Sequence, residues 1–489
     1  MDDKKIKQSE AQENFSKSVG TFIELSFNAF DEFHAAVLEK IEIPAQYIPN
    51  HHDYPYCSMS DSGFPLFFET GFYDKNGPKY YTQTLRGTGI ISMLMLDRDN
   101  NKFPECDKLY EFLQGDALGQ GFKSDHDDEV SRYEVEALIS STVESYFQRF
   151  GTGPLDEEKR RDAMKKMLWG SILGSFQLRI VIPITLTHFD VDHYRLTESS
   201  YIARIPKGIQ LSRARMDMRG SGAVKNVVGA ATHAFISTDW SIEVNSRHKV
   251  RQSLNNPAKN VLDEADLFFA ALRGATGAKT GYAQVIMMPT DGVVDVFCDL
   301  PTTYGATYRR YPAEFDEYGW AYGGQSRVTA EQMADVKRLY TLILARPEER
   351  VRIALMRLNT CMSRDDAVDA VLDATIALEV LLGDKENMAI AYKIRMRAGA
   401  LAAFRGDRLS TEVAAAVNKI YATRSKIVHG LTTSKSKKRV VPEEDRYVIE
   451  RDAAVDILRY IIEILLENPR FLEPGKIDQE LLLGVAPLP

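Results

Sequence analysis

The last third of this sequence is a series of segments with helical periodicity. Between residues 331 and 467, apolar residues recur at three- and four-residue spacing. This pattern predicts helices over 331–345, 348–360, 364–382, 386–404, 411–429 and 444–467. In the last helix the apolar stripe consists of Val455, Leu458, Ile462 and Leu465. We therefore predict an all-α, up-and-down helical bundle over residues 331–489.

The region before residue 330 has a different pattern. Runs rich in β-branched and aromatic residues are separated by Gly, Pro, Asn and Asp, as strands are by turns; they lie at 178–189, 233–244 and 282–300. Helical patterns lie around them, at 128–150, 156–175 and 260–273. We predict a mixed α/β region over residues 1–330, and an α+β class for the whole chain.

Composition narrows the class of protein. The chain has 489 residues, 44% of them hydrophobic and 27% charged, without an apolar run near the roughly 18 residues of a membrane span. The polar N-terminus lacks the apolar core of a secretory signal, so we expect a frayed tail and a cytoplasmic protein without a membrane partner. Its four dispersed cysteines do not form a C-x-x-C pair. A net charge of −8 excludes a generally basic nucleic-acid-binding surface, but it allows a local basic site.

Residues 418–439, "NKIYATRSKIVHGLTTSKSKKR", contain the densest set of chemically useful side chains. On a helical wheel Arg424 falls within an apolar arc made of Val413, Val417, Ile420, Tyr421, Ile427 and Val428. His429 is five residues further on, about 140° around the axis and about 7.5 Å along it. A single helix cannot easily direct both side chains at one atom, whereas two antiparallel copies could. The spacing therefore predicts a homodimer.

The two residue types suit RNA cleavage without a metal or other cofactor. Arginine offers a permanently charged fork to phosphate, and histidine transfers protons near neutral pH. The histidine could take the proton of a ribose 2′-hydroxyl or protonate the leaving 5′-oxygen, and its place at the helix C-terminus favours the charged form. The basic residues that follow could hold an RNA strand or form a solvated loop; they are Lys435, Lys437, Lys438 and Arg439.

Three strings in the C-terminal third resemble the ApeA-like branch of the HEPN family. They are "IALEVLLG" at 376–383, "YKIRMRAGAL" at 392–401 and "YATRSKIVHG" at 421–430. HEPN domains are dimerising helical bundles with an R-x4-6-H motif, and the resemblance covers residues 345–467. It implies that Arg424 and His429 are the catalytic pair and that Ser425 fills the polar position after the arginine.

The resemblance also assigns residues on neighbouring helices. Glu379 would orient Arg424 or His429, although it could also be an exposed acid. Arg397 would contact phosphate or pair with Glu379. We add Lys426 to the predicted substrate-binding residues, which are Ser425, Arg397, Lys426, Lys435, Lys437 and Lys438.

The implied function is a metal-independent endoribonuclease acting as a regulated toxin or anti-phage abortive-infection effector. A tRNA is one candidate substrate, because unpaired loop nucleotides present an accessible 2′-hydroxyl. The region before residue 330 would sense a trigger ligand or protein. The alternative is a non-catalytic HEPN scaffold that binds a nucleotide, a nucleic acid or a protein partner.

A further hypothesis concerns "THFDVDHYR", where His188, Asp190, Asp192 and His193 lie within six residues. On a strand the first three would share one face, which would allow the metal site of a metal-dependent hydrolase. The alternative interpretation is a strand end followed by an acidic turn. Phosphate-loop, G-x-S-x-G and H-E-x-x-H motifs are absent from the sequence.

Overall fold

The structure is a computed structural model. It describes residues 2–42, 48–50, 54–68, 78–85, 103–123, 129–172, 175–243, 246–290, 300–317, 325–364, 366–384, 389–428 and 446–484. The chain is mixed α+β, with sheets in the middle and a helical C-terminal region. Within the described ranges, no helix combines the length and apolar character that a membrane crossing needs.

The N-terminal part is helical and has its own apolar core. Its helices are α1 (Asp2–Glu42), α2 (Pro104–Gly115), α3 (Arg132–Phe150) and α4 (Glu157–Ile172). The expected frayed N-terminal tail is wrong, because Asp2 already belongs to α1. Further along α1, aromatic residues such as Phe30 and Phe33 are fully buried against α2 and α3, and this packing stabilises a long helix whose first turns are polar.

The central sheet has six antiparallel strands in the order β5-β6-β7-β3-β8-β9. They are β3 (Ser175–Thr185), β5 (His193–Arg195), β6 (Ser200–Arg204), β7 (His233–Glu243), β8 (Gly281–Pro289) and β9 (Tyr304–Arg310). Ile180, Ile182 and Ile184 pack on one face of β3, and Val181 packs on the other. The predicted strand regions at 178–189 and 233–243 and the start of 282–300 are confirmed; residues 244 and 291–299 lie outside the described residues.

Further helices and strands belong to the sheet region. They are β1 (Tyr56–Met59), β2 (Pro65–Phe68), β4 (Thr187–Phe189), α5 (Lys207–Arg213), α6 (Lys225–Gly229), α7 (Arg247–Leu254), α8 (Lys259–Thr276) and β10 (Ser326–Val328). Helix α8 confirms the prediction at 260–273 and contributes Phe268 and Phe269 to the apolar cluster on the Ile182 face of the sheet. Strand β10 pairs in parallel with β4, so the segment before residue 330 returns to the sheet region.

The C-terminal helices are α9 (Ala330–Leu344), α10 (Glu349–Cys361), α11 (Ala367–Leu382), α12 (Ile390–Arg405), α13 (Ser410–Val428) and α14 (Arg446–Glu467). Over the described residues, they confirm the six predicted helical segments. Helix α9 begins with a capping box between Thr329 and Gln332, which fixes its start where the sequence predicts it. A π-helical segment, Ile477–Leu482, follows α14 and packs on α12.

One apolar cluster connects the sheet with the C-terminal helices. It extends from Ile182 on β3 through Phe268 on α8 to Leu339 on α9 and Leu358 on α10. Removing residues 1–330 would therefore expose the apolar faces of α9 and α10 to water. The division of the chain into two domains, 1–330 and 331–489, stays a prediction.

Candidate functional site

Helix α13 is held close to α12 by a glycine. A Cβ atom on Gly399 would lie 3.2 Å from the carbonyl oxygen of Ser410 and 3.5 Å from Cβ of Ala414. The absence of a side chain therefore allows the two backbones to approach each other at the start of α13. Further along α13, Val413, Val417 and Ile420 are buried, which fixes the rotation of the helix about its axis.

That rotation brings Arg424 to Glu379 on the neighbouring helix α11. Nη2 of Arg424 lies 3.3 Å from Oε1 of Glu379, and both side chains are half-buried. Glu379 sits at the edge of the apolar face of α11, next to the fully buried Leu378. Glu379 is therefore not an isolated exposed acid, and its orienting role stays a prediction.

Tyr421 completes this cluster. Its hydroxyl donates a hydrogen bond to Oε1 of Glu379 over 3.3 Å, and the Arg424 guanidinium carbon lies 5.9 Å from the centroid of its ring. Burial, followed by the neighbouring Glu379 carboxylate, raises the pKa of the Tyr421 hydroxyl. The hydroxyl therefore stays protonated near neutral pH and remains a donor.

Glu379 anchors Arg424, whose side chain nevertheless remains 34% exposed. Among the described residues, Glu379 is the one carboxylate within ion-pair distance of its guanidinium. Arginine has five N–H donors, so donors remain for a phosphate. Ser425 and Lys426, which directly follow Arg424 on α13, are exposed.

The predicted apolar arc of α13 is correct except at its end. Tyr421 is buried and Ile427 packs against the core, but Val428 is 62% exposed. The arc therefore ends at Ile427, one residue before its predicted end. Val428 is thus an apolar side chain in water next to the predicted catalytic histidine.

Arg397 does not pair with Glu379, so this part of the prediction is corrected. The side chain is only 3% exposed, and its donors go to the carbonyl oxygen of Leu382 (2.6 Å), to Asp384 (3.0 Å) and to both oxygens of Asp478 (2.8 and 2.5 Å). These bonds join α12 to the end of α11 and to the π-helical segment. A phosphate could reach Arg397 only if some of them broke.

Four predicted site residues lie outside the described residues. They are His429, Lys435, Lys437 and Lys438. Their roles stay predictions. The described part of α13 ends at Val428, so His429 directly follows the helix that carries Arg424.

The acidic stretch near His188 is occupied by ion pairs. Asp190 accepts from Arg327 and Asp192 accepts from Arg204, each over 2.7 Å. The ring of His188 stacks on Phe64, and its Nε2 lies 3.0 Å from the carbonyl oxygen of Ser62. Within the described ranges, His, Cys, Asp and Glu side chains do not form a group of three that could hold a metal ion. The arginine partners explain the acidic residues here without a metal.

Comparisons with protein-family models, with curated proteins and with solved structures each gave no match to this chain.

Sequence reasoning missed the contact between Tyr421 and Glu379. Tyr421 was assigned to the apolar arc alone, yet it lies three residues before Arg424, on the same face of α13. That spacing was the available signal, because a tyrosine on a buried helix face usually needs a partner for its hydroxyl.

Proposed function

We propose that this chain is a metal-independent endoribonuclease of the HEPN type, with Arg424 and His429 as its catalytic residues. The observation that carries the proposal is the contact of Arg424 with Glu379 and Tyr421. A guanidinium that a carboxylate fixes and that remains partly exposed is suited to binding a phosphodiester. It also lies on the helix that directly precedes His429.

The chemistry is an internal transfer within the RNA chain. The 2′-oxygen attacks the adjacent phosphorus, the bond from phosphorus to the 5′-oxygen breaks, and a 2′,3′-cyclic phosphate and a 5′-hydroxyl result. One histidine takes the 2′-hydroxyl proton or supplies the proton that the leaving 5′-oxygen needs. Arg424 stabilises the negative charge that accumulates on the phosphoryl oxygens. Glu379 positions Arg424.

A homodimer would supply a second histidine and a second arginine to the same cleft. Two exposed apolar side chains support such a contact, Val428 at the end of α13 and Ile449 near the start of α14. They border the part of the chain that contains His429. Burying them against a second copy would remove apolar surface from water and bring the two motifs together.

We further propose a regulated role in the cytoplasm, as a toxin or anti-phage effector that cleaves RNA, with tRNA as a candidate. A trigger ligand or protein would act on the region before residue 330. The apolar cluster that joins this region to α9 and α10 offers a mechanical connection to the C-terminal helices.

The test uses the purified full-length protein and total cellular RNA in excess EDTA. We expect the wild type to produce discrete fragments that end in 2′,3′-cyclic phosphate and 5′-hydroxyl groups, and His429→Ala to produce none. Sequencing the fragment ends identifies the substrate. Cleavage that His429→Ala retains would instead favour the scaffold alternative, with a contaminating nuclease as the source of the activity.

A further inference from the structure

A polar cavity lies where the sheet region meets the C-terminal helices. Its volume is about 290 Å³. One wall comes from the segment after α8, with Gly277 and Lys279, and another from α14, with Arg451, Val455 and Arg459. These three α14 residues are spaced by four, so they lie on one face of the helix. The end of α10 and the residue Arg364 close the cavity.

Arg459 is a half-buried cation without a carboxylate partner among the described residues. Its Nε donates to the carbonyl oxygen of Gly274 over 3.0 Å, at the C-terminal end of α8. Burial lowers the pKa of its guanidinium from the usual value. Arginine nevertheless stays charged in proteins, so the cavity wall carries a cation that has lost water without gaining a carboxylate.

The two acids nearest to Arg459 along α14 are engaged by other arginines. Asp456 accepts from Arg408 over 2.5 and 3.2 Å. Glu463 accepts from Arg405 over 3.1 Å and from Arg338. Both carboxylates favour the charged form of Arg459 from a distance, but their close ion pairs are with these other arginines.

The other charges on the cavity wall largely cancel. Lys279 pairs with Glu314 over 3.0 Å, and Arg451 pairs with its neighbour Asp452 over 2.9 Å. Arg364 pairs with Asp369 and Asp373, each over 3.0 Å. After this pairing, Arg459 is the cation on the described wall that has no carboxylate within ion-pair distance.

Gly277 makes room for the guanidinium. It ends α8 in the left-handed conformation, with φ of +68°, and a Cβ atom there would lie 2.7 Å from Nη1 of Arg459. The guanidinium therefore rests directly on the backbone of the α8 C-terminus. The negative end of that helix dipole favours a cation at this place but does not cancel its full charge.

A larger cavity of about 490 Å³ adjoins this one and shares Arg364 with it. It is lined by polar side chains such as Arg309, Arg310 and Thr360, together with the exposed apolar Met356. The two volumes are in the range of sites for small organic ligands. The smaller cavity fits an anionic group, and the larger one fits a polar organic body attached to it.

We propose that these two neighbouring cavities bind a small phosphorylated molecule of mononucleotide size, with its phosphate on Arg459. The ligand would contact Lys279, from the region before residue 330, and Arg451 and Arg459, from the C-terminal helices. It would therefore bridge the two parts of the chain. This binding site lies apart from Arg424 and does not depend on the proposed ribonuclease activity.

The test measures binding to the full-length protein by calorimetry and by thermal unfolding. The probes are AMP, inorganic phosphate and, as the uncharged counterpart, adenosine, all at one ionic strength. We expect AMP to bind saturably and to raise the Tm, phosphate to bind more weakly, and adenosine to bind at least tenfold more weakly than AMP. Arg459→Gln should weaken AMP binding at least tenfold.

Arg352→Gln is the matched control, because Arg352 lies on α10, is exposed and pairs with Asp263 outside both cavities. It should bind AMP as the wild type does. Val455→Phe fills the smaller cavity and keeps all charges, so it should also abolish AMP binding. It provides a second test of the site if Arg459→Gln does not fold. Failure of AMP and phosphate to bind the wild type, or AMP binding by Arg459→Gln and Val455→Phe as tight as that of the wild type, would overturn the proposal.

Discussion

Arg424 and Tyr421 share one carboxylate oxygen, Oε1 of Glu379, which lies 3.3 Å from Nη2 of the arginine and 3.3 Å from the tyrosine hydroxyl. The two side chains are three residues apart on α13, whereas Glu379 belongs to α11. Packing between the helices thus sets the position of the guanidinium, which does not depend on α13 alone. This contact gives the proposed ribonuclease site a positioning residue that can be tested separately from the catalytic pair.

Replacing Glu379 with Gln keeps the size of the side chain and removes its charge. We expect the rate of RNA cleavage to fall by about 10- to 100-fold, because a displaced guanidinium stabilises the transition state less well. The loss should appear mainly in kcat rather than in KM. Tyr421→Phe, which retains Glu379, should reduce the rate less. Equal rates for wild type and Glu379→Gln would show that this carboxylate does not position Arg424.

A substitution at the exposed Val428 tests the proposed homodimer. Val428→Asp places a charge in the surface that we propose to be buried between two copies, so it should shift the protein from dimer to monomer and abolish RNA cleavage. Light scattering coupled to size exclusion gives the mass directly. Leu483, which is 74% exposed, provides a control: Leu483→Asp should leave mass and cleavage unchanged. A Val428→Asp dimer with full activity would contradict the proposed interface.

Arg397 has a structural role that unfolding experiments can measure. Arg397→Met should lower the free energy of unfolding by about 3 kcal/mol, because it leaves Asp384, Asp478 and the carbonyl of Leu382 without their buried donor. Arg352→Met removes a surface pair and should cost about 0.5 kcal/mol or less. Urea denaturation measures the free energy of unfolding of both variants. Similar losses would contradict the larger stabilisation that we expect from the buried Arg397.

Stability should also depend on pH through His233, which is 1% exposed in the sheet. Burial, and then the nearby Arg204, lower its pKa from 6.5 to about 4. Between these values the unfolded chain binds a proton that the folded chain does not, so stability falls as pH drops from 6.5 to 4. The contribution is about 3 kcal/mol.

The His233 contribution is isolated by comparing wild type with His233→Gln, which does not titrate. The difference between their free energies of unfolding should change across this pH window and stay constant between pH 7 and 8. A constant difference from pH 4 to 8 would contradict the lowered pKa.

The sequence predicted local structure well where periodicity is strong. The six C-terminal helices and the strands around β3, β7 and β8 follow their apolar patterns closely. The polar N-terminus was mispredicted because α1 is stabilised by aromatic residues further along, and local polarity does not reveal tertiary packing.

The contacts between side chains were harder to predict than the helices and strands. Glu379 and Arg424 were placed together by the family resemblance, but Arg397 was assigned Glu379 as an alternative partner, whereas it pairs with Asp478, 81 residues away along the chain. The cavity at Arg459 was missed altogether. Its walls come from several separate segments, and their approach depends on the packing of α8 against the C-terminal helices.

The rate of RNA cleavage by Arg424→Gln in excess EDTA tests the central claim most directly. Lys419→Gln, an exposed change on the same helix, serves as the control. We expect Arg424→Gln to cleave at least 100-fold more slowly than the wild type and Lys419→Gln, with the same circular dichroism spectrum and Tm. Equal cleavage by all three proteins, or intact RNA with all three, would contradict it.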